Sequence, residues 1–487
     1  MAPPYSPDSW ALYELSQTVF GDFFRFSHHR NYDDMSPYSS ALPPLFPTLI
    51  AIVDGVFGTG ARTGLYLAFI AYVVFAGLSE RLALRLTGCP WVGLSAALFL
   101  LLGPQMLVSE LTAGRTMPLQ LCLYALVLLG LSHEGGSVSA LRAFLIGLVS
   151  GLAVLNRFDA AILPLLAVVA VAVLTRSRLR SWQALAGVAA GLFPWVAYSL
   201  TAFGTVFATD NSRVAASLDQ RAFVTDWWPN PQPSLVDAPW AYASKISGNA
   251  GELAGAFRAI VSGPLGEGLL VVLVLGAIVV FVNRRRRTTG STLSTPDLRL
   301  VLGTVGGFVA LLIPQLATGY AEHRYFSGLC WGLGLLVVGG VVSRGVTEVE
   351  RRVLGAFVLN LAIVLLAPGM LERLSRPDLE RWSDFERPGA VLALADCLRG
   401  DPDVRILVIG DDLFAAQAGA LGGLAAMMTP RNIADGRVPA EGIRAFVEAW
   451  SVELVLVRAS DTDSPSTSAL SLRRVPDCDV ELFSVES

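Results

Sequence analysis

Apolar residues in this chain arrive in blocks of about 18 to 25, the length a helix needs to cross roughly 30 Å of hydrocarbon. Such blocks fall at about 62–82, 90–109, 117–133, 142–157, 158–175, 183–203, 264–283, 298–319, 325–343 and 351–370. Hydrophobic residues make up 53% of the 487 and charged residues only 16%. A soluble fold of this size would need far more charge to cover its surface. The expected fold is therefore an α-helical polytopic membrane bundle of about ten spans.

The arginines orient it. Lys245 is the only lysine, a bias that fits a GC-rich bacterial genome, and short arginine clusters separate the apolar blocks. Arg81 with Arg85, then Arg142, then Arg176, Arg178 and Arg180, then Arg284 to Arg287, and finally Arg344, Arg351 and Arg352 all fall on one side of a ten-span arrangement. Positive loops stay in the cytoplasm. The segment before residue 62, the loop at 204–262 and everything after 371 then face outward. The N-terminal segment starts outside with no span to carry it there, so a further span upstream is expected. The alternative is a short translocated tail.

Outside the bundle the pattern changes. Asp8 to Phe26 has helical apolar spacing (Trp10, Leu12, Leu15, Val19, Phe20, Phe23) that suits a helix lying in the interface. Pro43-Pro44-Leu45-Phe46-Pro47 opens a short apolar helix to about Phe57, also expected to be interfacial. The 204–262 loop is long, rich in Trp, Pro and Asn (Trp227-Trp228-Pro229-Asn230-Pro231), and reads as a binding loop or lid. Residues 371–487 read as a small soluble α/β domain: strands at Arg405–Ile409, Val452–Val457 and Val480–Val485 with a helix at Ala440–Trp450. Cys89, Cys122 and Cys330 lie in or beside apolar blocks as small core residues. Cys397 and Cys478 fall in the polar region, where a pairing is open if that region is exported. No basic patch with interleaved aromatics occurs, so nucleic acid is not an expected partner.

Ionisable residues at membrane depth are costly and mark function by default. Here they gather at the outer ends of the spans: Asp8, Asp33 and Asp34 in the first segment, Glu110 and Arg115 before 117–133, Arg157 and Asp159 before 158–175, and Glu322, His323 and Arg324 before 325–343. A carboxylate can take a proton from an acceptor hydroxyl while arginines hold a phosphate leaving group. Each residue also has a plainer reading. Asp8 is a good helix cap, Arg324 can snorkel, and Arg157 with Asp159 can be a structural ion pair. Glu110 and Arg115 can simply solvate a turn. Asp33 and Asp34 suit an acceptor sugar, a divalent cation or an ordinary loop. His28, His29 and His323 lack metal-ligand spacing, and no metal site is assigned. Gly410-Asp411-Asp412 ends a strand where α/β sheets bind ligands, or it is a turn with Asp412 capping the next helix.

These residues resemble the GT-C class of membrane glycosyltransferases, in the branch of protein O-mannosyltransferases and aminoarabinose transferases. Asp8-Ser9-Trp10 through Tyr13 and Leu15 resembles the acidic start of that class's first outer loop, and Pro43-Pro44-Leu45-Phe46-Pro47 resembles the Pro-Pro-Leu-Tyr-Pro that follows it. Gly151 to Asp159 resembles a Gly-Leu-Ala-x-Leu-x-Arg-Pro turn, Phe203-Gly204-Thr205 a loop opening, and His323-Arg324-Tyr325-Phe326 an outer helix start. The order is kept along most of the chain. Ser9 stands where the class often has a second acid, and the class's first span has no counterpart here.

The resemblance implies Asp8 as general base and Arg324, with Arg157 or Arg115, as ligands of the donor phosphate. Asp33, Asp34, Glu110, Asp159 and His323 are further site candidates. It implies a donor sugar on polyprenyl phosphate, hexose or pentose, and an extracytoplasmic acceptor such as a cell-envelope glycan, lipid or protein. Two other classes compete. A non-catalytic scaffold could keep this fold. A transporter or flippase would show internal repeats and midplane charge, and neither is found.

Overall fold

The computed structural model describes residues 7–20, 42–87, 89–102, 110–111, 113–132, 138–206, 236–262, 311–318 and 326–342. Toward the C-terminus it describes 396–398, 404–409, 425–428, 440–449, 451–457, 472–475 and 482–485, with isolated positions at 209, 218, 307, 353, 356, 394 and 470. The chain divides into two units, one of Met1–Leu65, Tyr198–Lys245 and Pro377–Ser487, the other of Tyr66–Ala197 and Ile246–Arg376.

In the first unit, α1 (Pro7–Thr18) packs on α2 (Leu45–Phe57). Both were expected as interfacial helices. At 13 residues, α2 is about 20 Å long, too short for a bilayer core. Its start follows from Pro44, and Pro47 sits in the first turn, where a missing N–H costs little. The Thr48 hydroxyl donates to the Pro44 carbonyl at 2.7 Å. The helix stops at Gly58, whose φ of 62° is left-handed and whose N–H reaches the Asp54 carbonyl. The Asp54 carboxylate then folds the chain back, accepting from the Gly60 N–H at 2.5 Å and the Thr63 hydroxyl at 3.3 Å.

The C-terminal part of this unit carries a five-stranded sheet. Its strands are β1 (Arg405–Ile409), β2 (Ala425–Met428), β3 (Leu454–Val457), β4 (Leu472–Arg474) and β5 (Leu482–Val485), in spatial order β2-β1-β3-β5-β4. The β1 strand pairs in parallel with β2 and β3, whereas β5 is antiparallel to both β3 and β4. Parallel strands covered on both faces read as continuous apolar runs, as Arg405–Ile409 and Leu454–Val457 do. A parallel step needs a crossover, and α12 (Ala440–Ala449) lies between β2 and β3 in sequence with Ile443, Phe446 and Val447 buried on one stripe. Strands β2 and β4 were not anticipated. Cys397 is in a disulfide, while Cys89, Cys122 and Cys330 are free.

The second unit is helical: α3 (Thr63–Thr87), α4 (Trp91–Leu102), α5 (Met117–Leu131), α6 (Ala140–Asn156), α7 (Leu163–Thr175), α8 (Arg178–Phe203), α9 (Pro239–Ser262), α10 (Ile313–Thr318) and α11 (Ser327–Val342). The first residues of α3 and α9 and the last of α8 are assigned to the first unit. Among the described residues, three helices are long and apolar enough to cross a membrane: Gly60–Arg85, Phe158–Thr175 and Arg178–Phe203. The blocks at 264–283 and 351–370 fall almost wholly outside the described residues. Exposed Leu165, Val169 and Val173 form an outward stripe on α7, as lipid contact requires.

One expectation is corrected. The 204–262 segment is not irregular throughout, because Pro239–Ser262 is a 24-residue helix. It is rich in Ala, Gly and Ser and buries one narrow stripe, so it lacks the apolar density that marked the other helices.

Two backbone-close contacts hold the helical unit. Gly147 and Gly151 on α6 face Gly187 and Gly191 on α8. A methyl on Gly147 would overlap the Ala184 carbonyl and one on Gly187 the Phe144 carbonyl, while one on Gly191 would lie 2.7 Å from the Leu148 oxygen. Both helices carry Gly-x-x-x-Gly, the spacing that lets membrane helices touch along their backbones. Separately, the Trp331 indole donates to the Ser79 hydroxyl at 2.7 Å, and that hydroxyl donates to the Gly93 carbonyl at 3.1 Å. Trp331 on α11 also sets its ring edge against Phe75, centroids 5.0 Å apart.

Candidate functional site

The α6–α7 turn and the entry to α5 bring together residues far apart in sequence. The last helical residue of α6 is Asn156. Arg157 follows with extended backbone (φ −154°, ψ 123°), its N–H still closing on the Ala153 carbonyl. A short 3₁₀ turn at Phe158–Ala160 then places Asp159 so that its carboxylate doubles back onto Arg157. The guanidinium meets it with a fork: Nε to the two carboxylate oxygens at 3.2 and 3.1 Å, and Nη2 to Oδ2 at 2.9 Å. The remaining Nη1 donates to the Thr116 hydroxyl at 3.3 Å.

Carboxamides complete this network. Asn156 Nδ2 donates to the Thr116 carbonyl at 3.1 Å and to Gln120 Oε1 at 2.7 Å. Gln315 on α10 donates to Asp159 Oδ2 at 3.3 Å. Gln120, Asn156 and Gln315 are all buried. One residue before Thr116, Arg115 Nη1 lies 3.4 Å from Glu110 Oε1, with Glu110 1% and Arg115 22% exposed. Four expected site residues, Glu110, Arg115, Arg157 and Asp159, thus meet at one turn cluster.

This geometry separates the two arginines. The Arg157 fork is filled from within the chain, and its side chain is only 12% exposed. The Arg115 contact is long and its side chain more open. Arg157→Ala would leave the mostly buried Asp159 facing Gln315 with its counter-charge gone. Loss of a buried pair costs about 3–5 kcal/mol. The expected result is a drop of about 3 kcal/mol in stability, read by denaturation in mild detergent, with a matching drop for Asp159→Asn. Unchanged stability combined with weakened binding of polyprenyl phosphate would instead make Arg157 a phosphate ligand.

In the first unit, α1 places Asp8 in its first turn; the Asp8 side chain lies outside the described residues, as do Asp33, Asp34, His28, His29, Glu322, His323, Arg324 and Gly410 to Asp412. What the sequence reading missed on α1 is Glu14. It is buried on a helix that also buries Trp10, Leu12 and Leu15. Desolvation holds its carboxyl well above the usual carboxylate range. The neighbouring Tyr13 hydroxyl is also raised, first by burial and then by the Asp54 charge.

A carboxyl raised in the folded state favours folding at low pH and opposes it as pH rises through the interval between its unfolded and folded values. Glu14→Gln is therefore expected to be neutral near pH 4. Above the ordinary carboxylate range it should stabilise the protein by roughly 1 kcal/mol or more, measured as unfolding midpoints across pH. A pH-independent difference would remove the titration from the explanation.

The missed carboxamides had a usable signal: Gln120 and Gln315 interrupt apolar blocks, and polar groups at such depth are costly. Among the described residues, no three His, Cys, Asp or Glu side chains cluster as a metal site would need.

No protein-family profile matches the chain, and no curated protein matches it by sequence. Solved structures do. ArnT from Cupriavidus metallidurans bound to undecaprenyl phosphate is similar at 14% identity with a TM-score of 0.52, over 99% of this chain and 94% of that one. The Archaeoglobus fulgidus oligosaccharyltransferase is similar at 13% identity with a TM-score of 0.52, over 95% of this chain. The present chain spans only 64% of that enzyme's length. The archaeal enzyme AglB, solved with an inhibitory peptide and a dolichol-phosphate, gives 12% identity and a TM-score of 0.50. At such identities the likeness is one of architecture: this chain has the fold of the GT-C membrane glycosyltransferases.

Proposed function

We propose that the protein is a glycosyltransferase that moves a sugar from a polyprenyl-phosphate carrier to an acceptor outside the cytoplasm. The observation that carries this reading is the shared fold over 99% of the chain with a structure holding undecaprenyl phosphate. The clustering of Glu110, Arg115, Arg157 and Asp159 at one turn supports it, because that end of the helices is where the arginine pattern puts the outer face.

The chemistry balances with residues of this chain. The acceptor hydroxyl attacks the anomeric carbon and gives its proton to Asp8, the C–O bond to phosphate breaks, and polyprenyl phosphate leaves. Arg324 and Arg115 hold the departing phosphate, since the Arg157 fork is already engaged. The 204–262 segment closes over the site, and residues 371–487 position a large acceptor on the same outer side. A disulfide at Cys397 supports that side, since disulfides persist in oxidising compartments.

The test is transfer of label from polyprenyl-phosphate sugars, hexose and pentose, in membranes carrying the chain. Label in an acceptor fraction is expected. Its absence with every donor would favour the second reading, a scaffold that keeps the fold without the activity. Ser9 in place of a second acid is the observation that favours that alternative.

A further inference from the structure

At the end of α5 and α6 opposite the turn cluster, two arginines meet on one acceptor. Arg142, in the first turn of α6, donates from Nη2 to the Leu129 carbonyl at 2.8 Å and from Nε to the Gly130 carbonyl at 2.6 Å. Arg85, near the end of α3, donates from Nη1 to the same Leu129 oxygen at 3.2 Å. Sharing one oxygen holds two like charges side by side.

Part of this arrangement is helix capping. Leu129 and Gly130 lie in the last turn of α5, where the carbonyls carry about half a negative charge. One guanidinium more than offsets that, and the Leu129 oxygen also accepts from the Ser132 hydroxyl at 3.2 Å. Capping therefore does not require both arginines. Among the described residues no carboxylate pairs with either of them. Arg142 Nη1 and Arg85 Nε and Nη2 donate to no group there. The start of α6 adds to the positive excess. Its Ser139 cap accepts from the Arg142 N–H at 3.3 Å, and the first-turn N–H groups form the positive end of the helix dipole.

The neighbouring side chains are apolar and open. Leu84 beside Arg85, Leu141 beside Arg142, and Leu145 one turn further along α6 are all exposed. Leu141 and Leu145 share one helix face, so an apolar column leads away from the charge pair. We infer that Arg85 and Arg142 form a binding site for an anionic phospholipid, with the phosphodiester oxygens between the guanidinium groups and an acyl chain along Leu141 and Leu145. Guanidinium donors match phosphate geometry. A zwitterionic headgroup would return a cation to the same place, so net negative charge is what the pair selects. The site lies roughly 20 Å along α6 from the turn cluster, at the end that the arginine pattern assigns to the cytoplasmic leaflet. It stands apart from the transferase reading.

Native mass spectrometry of the full chain, offered equimolar phosphatidylglycerol and phosphatidylcholine, tests the site. The unaltered protein is expected to retain phosphatidylglycerol in about fivefold or greater preference. Arg85→Gln should weaken phosphatidylglycerol binding about fivefold, the scale of one basic residue against an anionic lipid surface, and leave phosphatidylcholine unchanged. Arg85 is exposed, so this variant removes the charge with little demand on folding. Arg178→Gln is the control: an exposed arginine at the start of α8, its loss should leave phosphatidylglycerol binding as in wild type. Equal weakening by Arg178→Gln would reduce the effect to general attraction between basic loops and anionic lipid, and would overturn the site. Equal retention of the two lipids by the unaltered protein would do the same. Binding insensitive to Arg85→Gln would leave the two arginines as caps of α5. Displacement of phosphatidylglycerol by inorganic phosphate would overturn the lipid assignment in favour of a soluble phosphate.

Discussion

Asparagine at position 8 is expected to lower sugar transfer by about 10²–10⁴-fold, the range that a positioned general base contributes, while undecaprenyl phosphate still binds. Asp8 lies in the first turn of α1, a helix packed on α2. A carboxylate there is favoured by the helix dipole whatever its chemistry. Removing its charge would then cost only about 0.3–1 kcal/mol of stability if capping were its sole role. The two roles separate by measurement: initial rates at saturating donor report the base, and the unfolding midpoint reports the cap. Equal rates for wild type and Asp8→Asn would take Asp8 out of the mechanism.

The largest effect on folding is expected at Gly187. Leucine there would drive a side chain into the Phe144 carbonyl and the α6 backbone, where neither neighbour is a flexible side chain that can swing away. Overpacking of this kind costs about 3 kcal/mol or more. The expected outcome is loss of monodisperse protein on extraction in mild detergent, with Gly187→Ala intermediate. Gly77 on α3 is the control, since a Cβ there meets nothing within 4 Å and Gly77→Ala should be neutral or slightly stabilising. Equal yields of the two variants at positions 77 and 187 would mean that α6 and α8 do not meet along this glycine seam.

Much of the architecture was legible because the physics acts locally. The prolines before Leu45 and the glycine after Phe57 bound α2 by fixed dihedrals, and two continuous apolar runs gave β1 and β3. The turn cluster was legible for a different reason: Glu110, Arg115, Arg157 and Asp159 stand out against apolar blocks, so their cost marks them. Other features escaped because their signal depends on a neighbour. The α9 helix buries a single stripe and is otherwise small and polar, so its composition resembles a loop. Glu14 looks like any surface carboxylate until the burial of its helix is known. The glycines of α6 and α8 read as ordinary membrane glycines until both rows are laid against each other.

The contact among Ser79, Gly93 and Trp331 has a consequence for the order in which the bundle is made. Hydrocarbon offers no water to a stranded donor, and ribosomal synthesis delivers Ser79 and Gly93 together, 14 positions apart, long before the indole, 252 positions after Ser79. The hydroxyl can give its proton to the Gly93 carbonyl at once, so the early hairpin of α3 and α4 enters the bilayer with that donor already satisfied. Its oxygen keeps a lone pair in reserve. When α11 arrives, the indole finds an acceptor waiting, and nothing made earlier has to be broken to receive it.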